Sequence, residues 1–79
     1  MNVTLAERAM AQFHELPAAV QAVFVERIVD FLERPWDAAY APHHGAEYRH
    51  LFFGEAGMAT VRVQEAEKSL TVVDILWAG

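Results

Sequence analysis

Cysteine is absent from this chain of 79 residues, and lysine and serine occur only once each, as Lys68 and Ser69. Without thiols the chain can form no disulfide and no thiolate zinc site, and it has no cysteine nucleophile. A single serine in a predicted turn offers no basis for a serine triad, and no glycine-rich phosphate loop is present. These absences exclude cysteine and serine nucleophiles as the source of an activity.

Long apolar runs are also missing. No stretch approaches the roughly 20 residues that span a bilayer, and the N-terminus lacks a basic region followed by a continuous apolar segment. Neither a membrane helix nor a signal peptide is indicated, and we expect the protein in the cytoplasm. The length predicts a single domain, residues 1–79. A domain of this size removes only about 60% of its unfolded surface from water, so its stability is marginal.

Positive charge is scarce. Six Lys and Arg residues stand against eleven Asp and Glu residues, which gives a formal net charge of −5. A nucleic-acid binder usually shows the opposite balance, because its cations displace counterions from around the phosphates. The composition therefore argues against autonomous RNA or DNA binding. It leaves open a local basic patch on one face, since the field depends on how charges are distributed.

Two amphipathic helices are predicted in the first half of the chain. Thr4 is a candidate N-cap of the first helix, with Glu7 in the capping-box position. A proline suits the first turn of the second helix, which we expect to run from about Pro17 to Glu33. The apolar residues of this second helix cover roughly half of the helical wheel, enough to contact both the first helix and a sheet. They are Val20, Phe24, Val25, Ile28, Val29, Phe31 and Leu32.

Three antiparallel strands are predicted in the last third, at residues 47–53, 58–64 and 70–77, because these segments are rich in aromatic and β-branched residues. Short polar or glycine-containing turns join them. The fold class predicted is α+β, a two-helix hairpin packed on a three- to four-stranded antiparallel sheet.

The segment 35–46 between the helices and the strands is predicted to be a long loop, because two prolines and a glycine interrupt it. We expect Trp36 and Tyr40 to pack back onto the domain, the alternative being that they flank a binding surface. The adjacent His43 and His44 match no ligand spacing typical of a particular metal. We therefore predict no metal site and no cofactor.

Because side chains alternate across a sheet, the charged positions suggest which side of each strand faces the helices. Val61 and Val63 are predicted to face the helices, and so are alternate residues of the neighbouring strands. Those alternate residues are Tyr48, His50, Phe52, Val73, Ile75 and Trp77.

With this phase, Arg49 and Arg62 share the face away from the helices. Two arginines on one rigid sheet can clamp a phosphate or stabilise charge that develops on it. The alternative is cross-strand pairing of these arginines with Glu47, Gln64 or Asp74.

The pattern as a whole resembles the RelE/ParE toxin superfamily. The resemblance rests on two amphipathic helices joined at residues 16–17, a loop entered at 34–35, the Tyr-Arg pair at 48–49, the Val-Arg-Val segment at 61–63 and a β-branched last strand. It covers nearly the whole chain. It implies a small cytoplasmic toxin of a bacterial type II toxin–antitoxin pair, with a cognate antitoxin protein as partner.

The resemblance implies one of two activities. RelE-like toxins cleave mRNA in the ribosomal decoding site, where arginine, lysine, histidine, glutamate or tyrosine side chains move the 2′-hydroxyl proton and stabilise a phosphorane-like transition state. ParE-like toxins inhibit DNA gyrase instead. Arg49 matches the arginine of the first of the three strands and Arg62 that of the next. With His50, as general acid or base, they are the predicted catalytic residues of an mRNA endoribonuclease; otherwise His50 is a buried histidine bonded to the backbone.

Three features differ from the superfamily pattern. The chain is acidic, it lacks the segment that usually follows the last strand, and residues 1–5 are a short strand or lead-in where members have a full first strand. A missing first strand would leave a sheet edge for a partner chain, including a second copy, to cover. The alternative function is therefore a non-catalytic protein-binding or dimerisation module. An unrelated two-helix, three-strand domain is a third possibility.

Overall fold

The computed structural model describes residues 2–34, 39–40 and 47–78. The α+β arrangement of two helices on a mainly antiparallel sheet is confirmed, and a 3-10 turn (Glu65–Glu67) connects the last two strands. The elements are β1 (Asn2–Leu5), α1 (Glu7–Glu15), α2 (Ala18–Glu33), β2 (Ala39–Tyr40), β3 (Tyr48–Phe53), β4 (Gly57–Gln64) and β5 (Ser69–Trp77).

The five strands form one sheet in the order β1-β5-β4-β3-β2. The three predicted strands β3, β4 and β5 are antiparallel neighbours, as expected. β1 adds a parallel strand at one edge, and the two-residue β2 adds an antiparallel one at the other. The sheet is therefore wider than the predicted three to four strands, and it contains one parallel pair.

The first residues of the chain form a strand. β1 pairs with β5 from Asn2, opposite Ser69, to Leu5, opposite Val72. The predicted N-cap at Thr4 is wrong, since Thr4 belongs to this ladder and Ala6 precedes α1 without a side-chain cap bond. Pairing with a distant strand overrides the local capping pattern. The edge of β5 that a missing first strand would leave open is covered by β1.

A glutamine continues the edge where β1 stops. The ladder ends when Ala6 N donates a hydrogen bond to Val72 O at 2.9 Å. Beyond it, Gln12 Oε1 in α1 accepts a hydrogen bond from Ile75 N at 2.7 Å, and Gln12 Nε2 donates one to Asp74 Oδ1 at 2.9 Å. The side-chain amide of Gln12 thus bonds to the edge of β5 at a position where a longer β1 would have bonded through its backbone. Gln12, which the helical pattern places on the polar side of α1, faces the sheet.

The core lies between the helices and one face of the sheet. Phe24 in α2 contacts both neighbouring rings, with centroids 5.7 Å from Phe13 and 5.1 Å from Phe53. A Cβ added at Gly57 would lie 2.5 Å from the Phe53 ring, so this position needs glycine. The buried apolar residues are Ala9, Leu16, Phe24, Ile28, Phe31, Leu51, Phe53, Ala59, Val61, Val63, Leu70, Val72 and Ile75.

α2 buries only half of its broad apolar side. Phe24, Ile28 and Phe31 are buried against the sheet, whereas Val25 is 49% exposed and Val29 is 55% exposed. The inner half of the arc therefore packs on the sheet, and the outer half is exposed.

The prediction of which side chains face the helices is correct for β4 and wrong for β3. Val61 and Val63 face the core as expected. In β3 the buried residues are Leu51 and Phe53, whereas Phe52 is 56% exposed. The prediction that Tyr48, His50 and Phe52 face inward is therefore wrong. It assumed that the charged residues beside them mark the solvent side of the strand. Burial of Leu51 and Phe53 instead determines which side faces the core.

A β-bulge changes the phase of β5. Thr60 pairs with Asp74 and the next residue, Val61, pairs with Val72, so Val73 is an extra residue in β5. Val72 consequently faces the core at 0% exposure, and the prediction that it faces outward is wrong, whereas the bulged Val73 is half-buried. Beyond the bulge the phase is the predicted one: Ile75 is buried, and Trp77 is on the same side at the end of the sheet, 37% exposed.

Candidate functional site: the outer face of the sheet

The face of the sheet turned away from α2 carries most of its polar side chains, and we call it the outer face. Residues paired across a ladder point to the same side, so the register gives its members. They form three cross-strand rows. The rows are Tyr48, Arg62 and Thr71; His50, Thr60 and Asp74; and Phe52, Met58 and Leu76.

Arg62 is at the centre of the first row and has an acidic neighbour. Its Nε lies 3.0 Å from Glu47 Oε1, and the side chains are 39% and 47% exposed. The cross-strand pairing considered as the alternative role of Arg62 is therefore present. A pair this exposed contributes at most about 1 kcal/mol, so an anionic ligand can compete for the guanidinium.

Arg49 lies on the opposite side of the sheet from Arg62. It pairs with Val61, which is fully buried on the helix side, and its Nη1 donates a hydrogen bond to Tyr48 O at 2.7 Å. The expectation that Arg49 and Arg62 share one face is wrong, because it rested on the incorrect phase of β3. The described register gives no two-arginine clamp.

The structure brings Tyr48 and His50 onto the outer face with Arg62. Tyr48 is directly opposite Arg62 in the β3–β4 ladder, and His50 is two residues further along β3. All three side chains are half-buried. The predicted phase of β3 turns Tyr48 and His50 inward and therefore does not show this grouping. The signal that could have shown it is the spacing of Leu51 and Phe53, two large apolar residues that fix the buried side of β3.

Asp74 is on the outer face but is engaged by α1. Its Oδ1 lies 3.2 Å from Arg8 Nε and accepts the hydrogen bond from Gln12. Its carboxylate therefore ties α1 to the sheet edge. Thr60, between Asp74 and His50, is 3% exposed. The other polar residues of the three rows, Tyr48, His50, Arg62, Thr71 and Asp74, are all half-buried.

Arginine, histidine and tyrosine together have the chemistry that phosphodiester cleavage needs. A guanidinium stabilises charge that develops on phosphate oxygens, and imidazole or phenol groups can transfer protons. Opposite residues in a ladder have Cβ atoms about 5 Å apart, so Tyr48 and Arg62 can reach one phosphate group. Whether Arg49, His50 or Arg62 acts chemically stays a prediction.

Metal-binding residues do not converge in the described part of the chain. Among residues 2–34, 39–40 and 47–78, no three His, Asp or Glu side chains are placed to hold a metal ion. His43, His44 and Trp36 lie outside the described residues, as does the side chain of Tyr40. Neither α1 nor α2 is long and apolar enough to cross a membrane.

Solved toxin structures share this architecture over nearly its whole length. The isolated E. coli RelE toxin superposes with a TM-score of 0.85 at 16% identity, covering 99% of this chain and 84% of that chain. This chain has the RelE/ParE toxin fold. A chain of the intact E. coli RelBE toxin–antitoxin complex gives a TM-score of 0.83 at 16% identity and covers 99% of this chain and 96% of its own.

A further structure with a similar fold comes from another organism. A chain of the RelBE2 toxin–antitoxin complex from Mycobacterium tuberculosis has a TM-score of 0.83 at 15% identity, covering 98% of this chain and 96% of that chain. No family model and no curated protein matches the sequence. This chain thus shares the fold of these toxins although few residues are identical.

Proposed function

We propose that this chain is the toxin of a bacterial type II toxin–antitoxin pair, which cleaves ribosome-bound mRNA in the cytoplasm in the RelE manner. The observation that carries the proposal is the grouping of Tyr48, His50 and Arg62 on the outer face of a RelE-type sheet. Two of the similar structures are toxin–antitoxin complexes, which supports a cognate antitoxin as the partner of this chain.

The proposed reaction uses the RNA's own 2′-hydroxyl as nucleophile. The 2′-oxygen attacks phosphorus, its proton passes to a base on the outer face, and the bond to the 5′-oxygen breaks as that oxygen takes up a proton. The products are a 2′,3′-cyclic phosphate and a 5′-hydroxyl end. Arg62 stabilises the additional negative charge of the phosphorane-like transition state, and His50 and Tyr48 are the candidate proton-transfer groups.

Arg49 has a different place in this proposal. Because the register puts it on the helix side of β3, it is not grouped with Arg62 around one phosphate. Its hydrogen bond to Tyr48 O instead suggests a role in holding the strand that carries Tyr48 and His50.

A second candidate function is a non-catalytic protein-binding module of the same fold. Two observations favour it: the net charge of −5, and the ion pair that already occupies Arg62 with Glu47. Gyrase inhibition in the ParE manner is the third outcome that the fold allows.

Growth after induced expression in bacteria tests the proposal. We expect the wild-type chain to arrest growth, and Arg62→Ala to lose this effect. Arg34→Ala is the matched control, because Arg34 is an exposed arginine beyond the end of α2 and outside the outer face. All three proteins must accumulate in soluble form to the same level.

A purified translation reaction then identifies the target. Cleavage of mRNA that requires ribosomes and Arg62 supports the RelE-like activity. Intact mRNA together with inhibition of gyrase supercoiling would contradict it in favour of the ParE-like activity. Unimpaired growth with soluble wild-type protein and intact mRNA would favour the binding module.

A further inference from the structure

One row of the outer face is apolar throughout. Phe52, Met58 and Leu76 lie opposite one another on β3, β4 and β5. Phe52 is 56% exposed and Leu76 is 50% exposed, and Met58 between them is half-buried. The proposed proton transfers and charge stabilisation use none of these side chains. An aromatic ring and two flexible apolar side chains thus face solvent beside the proposed reaction site.

The apolar row is held in place by its strands and by α2. On either side of Phe52 in β3, Leu51 and Phe53 are buried in the core, so the Phe52 ring is kept on the outer face. Arg27 of α2 donates a hydrogen bond from its Nε to Phe52 O at 3.0 Å. This contact fixes the main chain of Phe52 and brings a positive charge to the β3 end of the row.

The apolar row is also narrow. The adjacent row of the outer face, formed by His50, Thr60 and Asp74, is polar, and the connection between β3 and β4 lies on the other side. With strands about 4.8 Å apart, three side chains span about 10 Å, which is room for one flat ring system. A stable protein interface buries about 800 Å² on each partner, far more than these three side chains offer. A second copy of this chain or another folded protein therefore finds too little apolar surface in this row.

Many of the carboxylates of the domain lie away from this row. Five are on α1 and α2, on the other side of the sheet: Glu7, Glu15, Glu26, Asp30 and Glu33. On or beside the outer face, Asp74 Oδ1 lies 3.2 Å from Arg8 Nε, and Glu47 Oε1 lies 3.0 Å from Arg62 Nε. Each of these two carboxylates thus has an arginine beside it. A polyanion is therefore repelled less by the outer face than by the helix side.

We propose that the apolar row is a base-binding subsite, in which an unpaired nucleobase of single-stranded RNA stacks on the Phe52 ring and contacts Met58 and Leu76. Aromatic side chains on a sheet can hold unstacked bases of any kind, because every base has a π-face. The inference deepens the proposed function and rests on it, since the base belongs to the RNA whose phosphate Arg62 contacts. Stacking supplies affinity that a chain with few cations does not obtain from phosphates.

The spacing of the rows relates this base to the reacting phosphate. His50 is two residues from Phe52 in β3, about 7 Å along the strand, and Tyr48, opposite Arg62, is about 14 Å away. An extended RNA strand that runs along β3 therefore has its reacting phosphate beside Arg62 and a nearby base on Phe52. A purine offers a larger ring system for stacking than a pyrimidine, so we expect a purine to be favoured at that position.

Methyl NMR of the purified full chain detects the stacked base directly. Met58 is in the row, and Met10, 44% exposed on α1, is an internal reference outside it. The probe is single-stranded hexaadenylate RNA, and the matched control is the same strand with abasic sites in place of the adenines. We expect hexaadenylate at about 1 mM to shift the Met58 methyl signal through the ring current of the base and to leave Met10 unchanged. The abasic strand, which keeps the phosphates, should leave both signals unchanged.

Three variants separate stacking from simple apolar contact. Phe52→Leu keeps an apolar side chain but removes the ring, and we expect the affinity for hexaadenylate to fall about tenfold. Phe52→Trp keeps a ring and should bind at least as tightly as the wild type. Val29→Ala is the control for location, because Val29 is 55% exposed, as Phe52 is, but lies on α2. It should leave the affinity unchanged, and thermal unfolding shows whether all three variants fold.

Cleavage in the purified translation reaction tests whether the bound base belongs to the reacting strand. We expect the wild type to cleave faster at codons that place a purine on Phe52. Phe52→Leu should still cleave, because Tyr48, His50 and Arg62 are unchanged, but it should lose this preference. Equal cleavage of purine and pyrimidine codons by the wild type would overturn the placement of this base on Phe52.

The base-binding subsite and the cleavage activity fail separately, because the NMR assay contains no ribosomes. A Met58 shift that requires both adenine and Phe52, in a protein that neither arrests growth nor cleaves mRNA, would support the subsite and contradict the activity. The subsite itself is overturned by an unshifted Met58 signal at about 1 mM RNA, by an equal shift with the abasic strand, or by wild-type affinity in Phe52→Leu. A dimer in sedimentation that Phe52→Leu dissolves would identify a second copy as the occupant instead.

Discussion

The outer face and the exposed apolar side of α2 lie on opposite sides of one sheet and differ in how their exposed residues are held. On the outer face, Tyr48, His50 and Arg62 belong to paired strands, so the ladder fixes their spacing. On α2, Val25 and Val29 are 49% and 55% exposed, and no described residue covers them. The ladder thus holds the outer-face side chains at fixed spacing, whereas Val25 and Val29 form an apolar surface open to solvent.

The largest expected change in stability is at Phe53, and its neighbour in β3, Phe52, provides the comparison. Phe53 is 2% exposed and contacts Phe24, whereas Phe52 points to the outer face and is 56% exposed. We expect Phe53→Ala to lower the free energy of unfolding by about 3–5 kcal/mol, because it removes a core ring and leaves a cavity. Phe52→Ala should cost less than about 1 kcal/mol. Denaturant titrations of the two variants measure both values.

Equal costs for these two variants would contradict the register of β3. The assignment of Tyr48 and His50 to the outer face depends on that register, since they share the side of Phe52. The pair of variants therefore tests the site and the core in one comparison.

The next largest change in stability is expected at Gly57, whose backbone lies against the Phe53 ring. Gly57→Ala places a methyl group 2.5 Å from the Phe53 ring, which Phe24 confines from the other side. Overpacking of this kind costs about 1–3 kcal/mol. Phe53→Leu removes the ring edge that causes the clash, so the double variant Phe53→Leu/Gly57→Ala should be more stable than the sum of the single changes predicts. Strict additivity in the four unfolding curves would contradict the proposed contact.

Gln12 links α1 to the edge of β5 through two hydrogen bonds. Gln12→Ala would leave the Ile75 N–H and the Asp74 carboxylate without this partner. We expect a loss of about 1–3 kcal/mol and faster hydrogen exchange at the Ile75 amide. Gln21→Ala is the control, since it removes a glutamine whose amide donates to a helix carbonyl, and it should leave exchange at Ile75 unchanged. Unchanged exchange in Gln12→Ala would mean that another group protects this edge.

The sequence was sufficient for those elements whose signal is local. The periodicity of α2 and the alternation around Val61 and Val63 gave the helices and the central strand, and the order of elements gave the RelE/ParE resemblance. For residues 1–5 the local pattern allows either a short strand or a lead-in, because the strand conformation of β1 depends on pairing with β5 at the other end of the chain. The bulge at Val73 was hidden because Val72 and Val73 are both apolar, so either phase of β5 satisfied the pattern.

The candidate site was predictable only in part for the same reason. Arg62 and His50 were named from the sequence, but their common face with Tyr48 required the phase of β3. A charged residue such as Arg49 can lie on the buried side of a strand near the end of a sheet, with its guanidinium bonded to backbone. Charge is therefore a weaker guide to the phase of a strand than a pair of large apolar residues two positions apart.

The smallest effect on stability is expected at the ion pair of the outer face, where function and stability should respond differently. Glu47→Gln removes the carboxylate 3.0 Å from Arg62 Nε, and because both side chains are well exposed the cost should be below about 1 kcal/mol and vanish at high salt. If Glu47 only occupies Arg62 until a phosphate displaces it, growth arrest by Glu47→Gln should equal or exceed that by the wild type. Arg62→Ala should match its stability but abolish arrest. Loss of arrest in a stable Glu47→Gln protein would instead assign Glu47 a part in the reaction.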